Sequence, residues 1–413
     1  MAERVFDGLK VIDCASFIAG PAAATVMSDF GAEVIKIEPP GAGDPYRRRA
    51  TPPVGPGLAG NPGFVLDGRN KKSLALDLRA PSGQAVLRRL IADADVFITN
   101  YPPPVRERLQ IAAADLLAIN PRLVYGSITA YGEAGAEAHR TGFDATAYWA
   151  RTGLMDMVRD GTKTEPVRSM PGMGDHPTAT ALYAAIVTAL YRREKTGKGG
   201  VAQTSLLQNG LWANGCYVQN RLFGEHVSYR PPRIDTPSAL ANHYCCKDGR
   251  WFLMALHNET RQLASFLKAI DREDLAQDPR FHTQPQRRAH HKELTAILDE
   301  VFAQRNLHEW RPILEKAGVT FGPVCTVDEA GDDEQSRTIG ALVPFADGTG
   351  LTVSSPFSVD GAAKVAPVRA AKVVGQHSEQ VLREAGYSAE EIARLKGLGV
   401  LGEHHAASLQ KAK

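Results

Sequence analysis

The chain has 413 residues, 43% of them hydrophobic and 23% charged, which excludes a wholly disordered protein and leaves ample material for a large core. Its formal net charge of +2 comes without a long block of one sign, so nothing points to a nucleic-acid partner; the run Arg47-Arg48-Arg49 is the nearest approach to a basic patch. The longest apolar stretch, near Ala181–Tyr191, falls short of the roughly 20 residues a membrane span needs. The opening residues carry mixed charge and no apolar run, so no signal peptide is expected. The cysteines at 14, 216, 245, 246 and 325 show neither C-x-x-C pairing nor zinc-type spacing. The expectation is a cytoplasmic protein with reduced thiols, no metal site and no membrane partner.

In chain order, Leu9–Ile12 reads as a short buried strand. It leads into Ala19-Gly20-Pro21, a turn that would put proline at the first helical position. Residues 22–30 then read as a helix stopped by Gly31, and 33–37 as a second strand. Two apolar strands around one helix make a βαβ unit, hence parallel strands. The pattern repeats with strand 73–78, helix 82–94, and strands 96–99 and 123–128. An alanine-rich helix over 178–193 follows, then a glycine-rich turn, a strand at 201–204 and one long helix over 206–220. Pro231, Pro232 and Pro237 mark 222–238 as a linker. Beyond it, 242–246 and 251–255 flank a hairpin turn, Asn258 caps a helix reaching Ile270, and helices over 292–303 and 307–317 complete a smaller α+β unit. A strand over 351–359 and a helix over 376–385 look like a return to the first domain.

Three local patterns invite a chemical reading. Gly55-Pro56-Gly57-Leu58-Ala59-Gly60 matches a dinucleotide-binding fingerprint in letters only, because no strand precedes it and no helix follows. The Ala19-Gly20-Pro21 turn joins a strand end to a helix start, where open α/β sheets bind ligands and anions; a plain tight turn is the alternative. Asp175 lies in Gly172-Met173-Gly174-Asp175-His176-Pro177, just ahead of the alanine-rich helix. Glycines there let a ligand come close to the backbone. On the residues alone, a helix cap supplied by Asp175 or Thr178 is the preferred reading, and His176 reads as a cap or surface residue, with proton transfer as the alternative.

Taken together, further segments resemble the family III coenzyme A-transferases. They are Gly8–Asp13 with Ala19-Gly20-Pro21, Asp29–Glu38, Gly41–Asp44, Asn70–Leu78, Asn100-Tyr101, Gly172–Asp175, Lys195–Gly199 and Gly375–Ser378, in that family's order along nearly the whole chain. The family includes formyl-CoA transferase, carnitine CoA-transferase and the α-methylacyl-CoA racemases. The resemblance implies an α/β fold in which a Rossmann-like parallel large domain is built from both chain ends, with a smaller α+β domain between. The expected bounds are 1–221, 222–325 and 326–413. It also implies an interlocked, ring-like homodimer.

The activity so implied is transfer of CoA from an acyl-CoA to a small carboxylic acid, with no permanently bound cofactor, and with Asp175 as nucleophile through an acyl-aspartyl anhydride and an aspartyl-CoA thioester. Leu76, Arg79, Asn100, Tyr101 and Arg108 match CoA contacts, and Phe17, Ile18, Phe143 and Tyr148 are expected to line the substrate pocket. There are departures. Pro39 replaces a basic residue that Arg47, Arg48 or Arg49 could stand in for; Ile18 replaces a glutamine, and Thr141 a lysine. The family's glycine-rich active-site loop has no counterpart in 234–243. The alternative within the fold is a 2-methylacyl-CoA racemase, but its histidine would stand where Phe143 does, before Asp144, and phenylalanine carries no proton.

Overall fold

A computed structural model describes residues 3–48, 61–161 and 163–402. The glycine run 55–60 and Arg49 lie outside the described residues. The chain divides into two compact units, one comprising Met1–Met155, Arg168–Gly224 and Gln335–Lys413, the other Asp156–Val167 and Glu225–Glu334.

The larger unit contains β1 (Lys10–Asp13), α1 (Ala19–Asp29), β2 (Glu33–Glu38), α2 (Pro62–Gly68), β3 (Lys71–Ala75), α3 (Pro81–Ala92), β4 (Val96–Thr99), α4 (Pro103–Arg108), α5 (Ala113–Ile119) and β5 (Val124–Thr129). A π-helix, Asp144–Ala150, follows, and then the short α6 (Leu154–Met157), whose last two residues belong to the other unit. Next come α7 (Asp175–Thr196), β6 (Gly200–Ser205), α8 (Leu206–Ala213) and α9 (Gly215–Leu222). Six parallel strands form one sheet in the order β3-β2-β1-β4-β5-β6, a doubly wound arrangement.

β1, β2, β4 and β5 are buried at nearly every position because helices cover the sheet on both faces, whereas β6, at the edge, leaves Val201 and Gln203 exposed. Successive residues point to opposite sides. Val11, Val34, Val96, Ile98 and Val124 join the alanines of α1 and Leu182, Ile186 and Leu190 of α7 in one core. Ile12, Ile35, Phe97 and Tyr125 face the other way, onto Val86, Leu87, Leu90 and Ile91 of α3. Val381, Leu382, Ile392 and Leu395 reach that second face from the far end of the chain.

The smaller unit carries β7 (His243–Cys245), β8 (Trp251–Met254), α10 (Glu259–Ala269), α11 (Gln284–Ala289), α12 (His291–Phe302), α13 (Leu307–Lys316), β9 (Phe321–Pro323) and α14 (Val327–Asp332). Its strands form an antiparallel sheet in the order β7-β8-β9, over a core that includes Tyr244, Phe252, Phe266, Phe302 and Trp310. Asn258 accepts from the Arg261 amide at 3.2 Å and caps α10, as its position suggested. The rest of the chain adds α15 (Glu334–Thr338), the antiparallel pair β10 (Leu342–Pro344) and β11 (Leu351–Val353), α16 (Ser378–Glu384) and α17 (Ala389–Gly397).

Several expectations are corrected. α1 begins at Ala19, so Pro21 is its third residue; it has no N–H to leave unsatisfied there. The single helix expected over 206–220 is two, broken at Asn214, a buried residue whose side-chain amide donates to the Thr152 carbonyl at 2.9 Å. The strand expected over 351–359 ends at Val353. Among the described residues no helix is long and apolar enough to cross a membrane.

Candidate active site

The strand order reverses direction between β1 and β4, and the loops leaving their carboxyl ends meet there, where such sheets bind ligands. The Asn100 side chain clamps Ser16, accepting from its N–H at 2.9 Å and donating to its carbonyl at 2.7 Å. Lys36 donates to the Ala15 carbonyl at 2.9 Å and pairs with Asp44 at 2.9 Å. The other Asp44 oxygen accepts from the N–H groups of Phe17, at 3.1 Å, and Tyr46, at 2.9 Å. These bonds hold Phe17 at φ +62°, a left-handed conformation that a bulky residue adopts only when its surroundings impose it. Gly20 is required at the same corner: a Cβ there would sit 2.5 Å from that of Ala15.

Asp175 approaches from the other side. It is the first residue of α7; the cap position is Gly174, and no side chain caps the helix. The capping readings of Asp175 and Thr178 are therefore set aside, since the Thr178 hydroxyl instead donates back to the Gly174 carbonyl at 2.7 Å. No hydrogen bond to the Asp175 carboxylate is formed among the described residues. The preceding loop is fixed by Asp144, which begins the π-helix and accepts from the Gly172 N–H at 2.8 Å. π-helical turns are rare and concentrate at functional sites.

Gly174 packs directly on that turn, where a Cβ would lie 2.6 Å from Tyr148 Cγ and 2.9 Å from Asp144 Cβ. Gly174→Ala should therefore cost about 1–3 kcal/mol of stability by overpacking. Because it shifts the base of Asp175, it should also lower turnover by roughly 100-fold. A melting curve and a steady-state assay check both; unchanged turnover would show that Asp175 does not depend on this packing.

Burial, then the Asp144 charge, and less strongly Asp67, push the Asp175 carboxyl up to about 7, against the opposing pull of His176. His176 is neither a cap nor a free surface residue: its Nε2 lies 3.1 Å from Oδ1 of the buried Asp67. Burial alone would lower the imidazole pKa, but the Asp67 hydrogen bond and charge hold it above its usual value.

Asp175, Phe17, Ile18, Asn100, Tyr101 and Phe143 line one cavity of about 290 Å³. Phe17 and Phe143 meet edge to face across it, with ring centroids 6.0 Å apart. Burial raises the Tyr101 hydroxyl pKa, so this phenol stays neutral. Tyr148 lies beneath Gly174 rather than in the cavity lining. Leu76 is packed into the sheet core, Arg79 is exposed and paired with Asp77 at 2.9 Å, and Arg108 is exposed at the end of α4; none of these three lines the cavity. Arg47 is committed to Glu38 and to the Ala371 carbonyl. Sequence reasoning passed over Asp67 and Arg140, and named Asp44 and Asp144 only as parts of motifs, without a role at the site; Arg140 lines the cavity and is ion-paired with Glu137.

The model of the family described as CoA-transferase family III matches residues 6–378. The chain belongs to CoA-transferase family III. Among curated members, an (R)-2-hydroxy-4-methylpentanoate CoA-transferase of Clostridioides difficile is 33% identical over 95% of this chain and 98% of its own length. A cinnamoyl-CoA:phenyllactate CoA-transferase of Clostridium sporogenes is 31% identical over 95% of this chain and 96% of its own. The crystal structure of a CAIB/BAIF family protein from Brucella suis superposes with a TM-score of 0.82 at 30% identity, covering 92% of this chain and 98% of that one. The parallel sheet described above is thus the family III fold.

Proposed function

We propose that this protein is an acyl-CoA:carboxylate CoA-transferase that works through covalent Asp175 intermediates. The observation that carries the reading is a single one: a carboxylate that takes no hydrogen bond from the described residues, its pKa moved to about 7, in the lining of a largely apolar cavity at the switch point of the sheet. Ionised Asp175 attacks the thioester carbonyl carbon, the C–S bond breaks, and CoA leaves as thiolate, giving an acyl-aspartyl anhydride. The thiolate then attacks the aspartyl carbonyl, the donor carboxylate departs, and an aspartyl-CoA thioester remains. The acceptor carboxylate and the released thiolate repeat the two steps in reverse order, which gives the new acyl-CoA and restores Asp175. No proton is gained or lost over the cycle.

In this reading Tyr101 lies along the path of the CoA arm. Asn100, whose amide is spent on Ser16, acts by holding the 15–18 loop rather than by gripping CoA with its side chain. Arg79, now paired with Asp77, and Arg108 are exposed cations suited to phosphates, while Leu76, enclosed and with its N–H bonded to the Glu38 carbonyl, supports the chain leading to Arg79. Phe17, Ile18 and Phe143 give the acyl body an apolar seat. The substrates are an acyl-CoA and a small carboxylic acid, and the working form is an interlocked, ring-like homodimer.

Incubation with an acyl-CoA followed by hydroxylamine should convert Asp175 alone to its hydroxamate, seen by peptide mass spectrometry. A CoA-dependent hydroxamate at another residue, or none while the enzyme turns over, would refute the covalent route.

A further inference from the structure

A second cavity, of about 360 Å³, lies behind the His176–Asp67 pair, apart from the cavity that Asp175 lines. It is bounded by α1, by the end of α2, by the first turn of α7 and by the strap that follows β11. Its walls are mostly apolar, with Val26, Leu66, Pro177 and Val353 among them. It shares no lining residue with the Asp175 cavity.

Four buried polar residues line it, Thr25, Asp67, Arg69 and Ser355. Thr25 and Arg69 spend their side-chain donors within the fold, on the Pro21 and Asp67 carbonyls and on Asp29 and the Leu66 carbonyl, whereas Asp67 and Ser355 each keep one buried side-chain atom without a partner among the described residues. Asp67 is 3% exposed. Its carbonyl accepts from the Thr25 hydroxyl and its Oδ1 faces His176 at 3.1 Å, yet its Oδ2 is buried without a hydrogen-bond partner. Ser355 is 6% exposed. Its N–H donates to Asp29 at 3.3 Å and its carbonyl accepts from Lys364 at 2.7 Å, yet its hydroxyl is likewise buried and unpartnered. A buried polar atom with no partner costs about 1–3 kcal/mol, so two in the wall of one cavity call for an explanation. Small-molecule sites have this make-up: an apolar hollow with a few fixed polar atoms.

We infer that this cavity is a second small-molecule site, for a compact aliphatic ligand bearing a hydrogen-bond donor. The donor end is dictated by Asp67, whose free oxygen only accepts; Ser355 can give or take the second bond. A hydroxyl and an ammonium both supply that donor, whereas a carboxylate presents acceptors and a like charge to Asp67; the two basic groups in the lining do not offset this, since Arg69 is spent on Asp29 and the Leu66 carbonyl and the His176 Nε2 is turned to Asp67 itself. The ligand is therefore chemically distinct from the carboxylic acids proposed for the Asp175 cavity.

Calorimetric titration of the full-length protein with 3-methylbutan-1-ol, 3-methylbutan-1-amine and 3-methylbutanoate tests this without any turnover. Saturable binding of the alcohol or the amine is expected, and whichever of the two binds identifies the head group. It should weaken about 2- to 10-fold in Ser355→Ala, the loss of one hydrogen bond. A melting curve identical to wild type shows that the variant is folded. No saturable binding of either donor, equal binding of the carboxylate, or unchanged affinity in Ser355→Ala would each overturn the inference. Because the readout is binding, the outcome is independent of whether Asp175 forms a covalent intermediate.

Discussion

Asp175→Asn should abolish CoA transfer, lowering kcat by at least about four orders of magnitude, as removal of a nucleophile does elsewhere. The side chain keeps its shape, so the loss would reflect chemistry rather than packing. In the wild type, kcat/KM should rise with pH and level off above about 7, where the carboxylate is ionised in the free enzyme. A stability effect runs the other way. The folded protein holds this proton more tightly than the unfolded chain, in which an aspartate titrates near 3.8. Between those two values, raising the pH removes stability, and above about 7 the whole loss has been incurred. Asparagine does not ionise. The variant should therefore melt a few degrees above wild type at pH 8, with the gap closing as the pH falls toward 4. Melting curves at the two pH values and a pH–rate profile settle both parts. An inactive variant with no gain at pH 8 would mean that Asp175 is not strained by burial. A variant retaining a tenth of wild-type activity would mean that it is not the nucleophile.

The central sheet was legible in the sequence because β1, β2, β4 and β5 each carry consecutive or alternating β-branched and aromatic residues, separated by helix-length segments, as strands covered on both faces do. Gly20, in what was read as a turn and is the first turn of α1, and the glycines ahead of Asp175 were visible for the same kind of local reason: glycine stands where something must come close. Several other features were not. Asn100 and Ser16 are 84 residues apart, and nothing in either sequence neighbourhood announces a two-bond clamp. His176 reads as an ordinary polar residue until Asp67, 109 positions away, is brought beneath it. The π-helix at 144–150 breaks the 3.6-residue period that pattern reading relies on. The stretch 156–167 carries no composition change to mark it as part of the smaller unit. Lys36 and Lys71 were hidden most deeply, since charged residues in strands are ordinarily solvated and these are fully enclosed.

That enclosed cluster carries the second large effect. Lys36 and Lys71 face Asp13 and Asp44, two charges of each sign with almost no access to water. Asp13 lies 2.8 Å from Lys71 and 3.9 Å from Lys36, whereas Asp44 sits 2.9 Å from Lys36. Burial would push the Lys36 ammonium pKa down, but Asp13, Asp44 and Glu38 together raise it above its usual value. Asp44→Ala leaves one cation too many in a dry place, and should cost about 3–5 kcal/mol. It also frees the N–H groups of Phe17 and Tyr46, so the left-handed Phe17 loses a tether and the wall of the Asp175 cavity loosens. A rise in KM for the acyl-CoA is the expected kinetic sign. The two consequences separate in a double variant. Adding Lys36→Met to Asp44→Ala removes the unpaired charge and should recover much of the stability, while KM stays high because nothing again holds Phe17. If both recover together, the cluster serves only the fold; if neither does, charge imbalance is not the source of the instability.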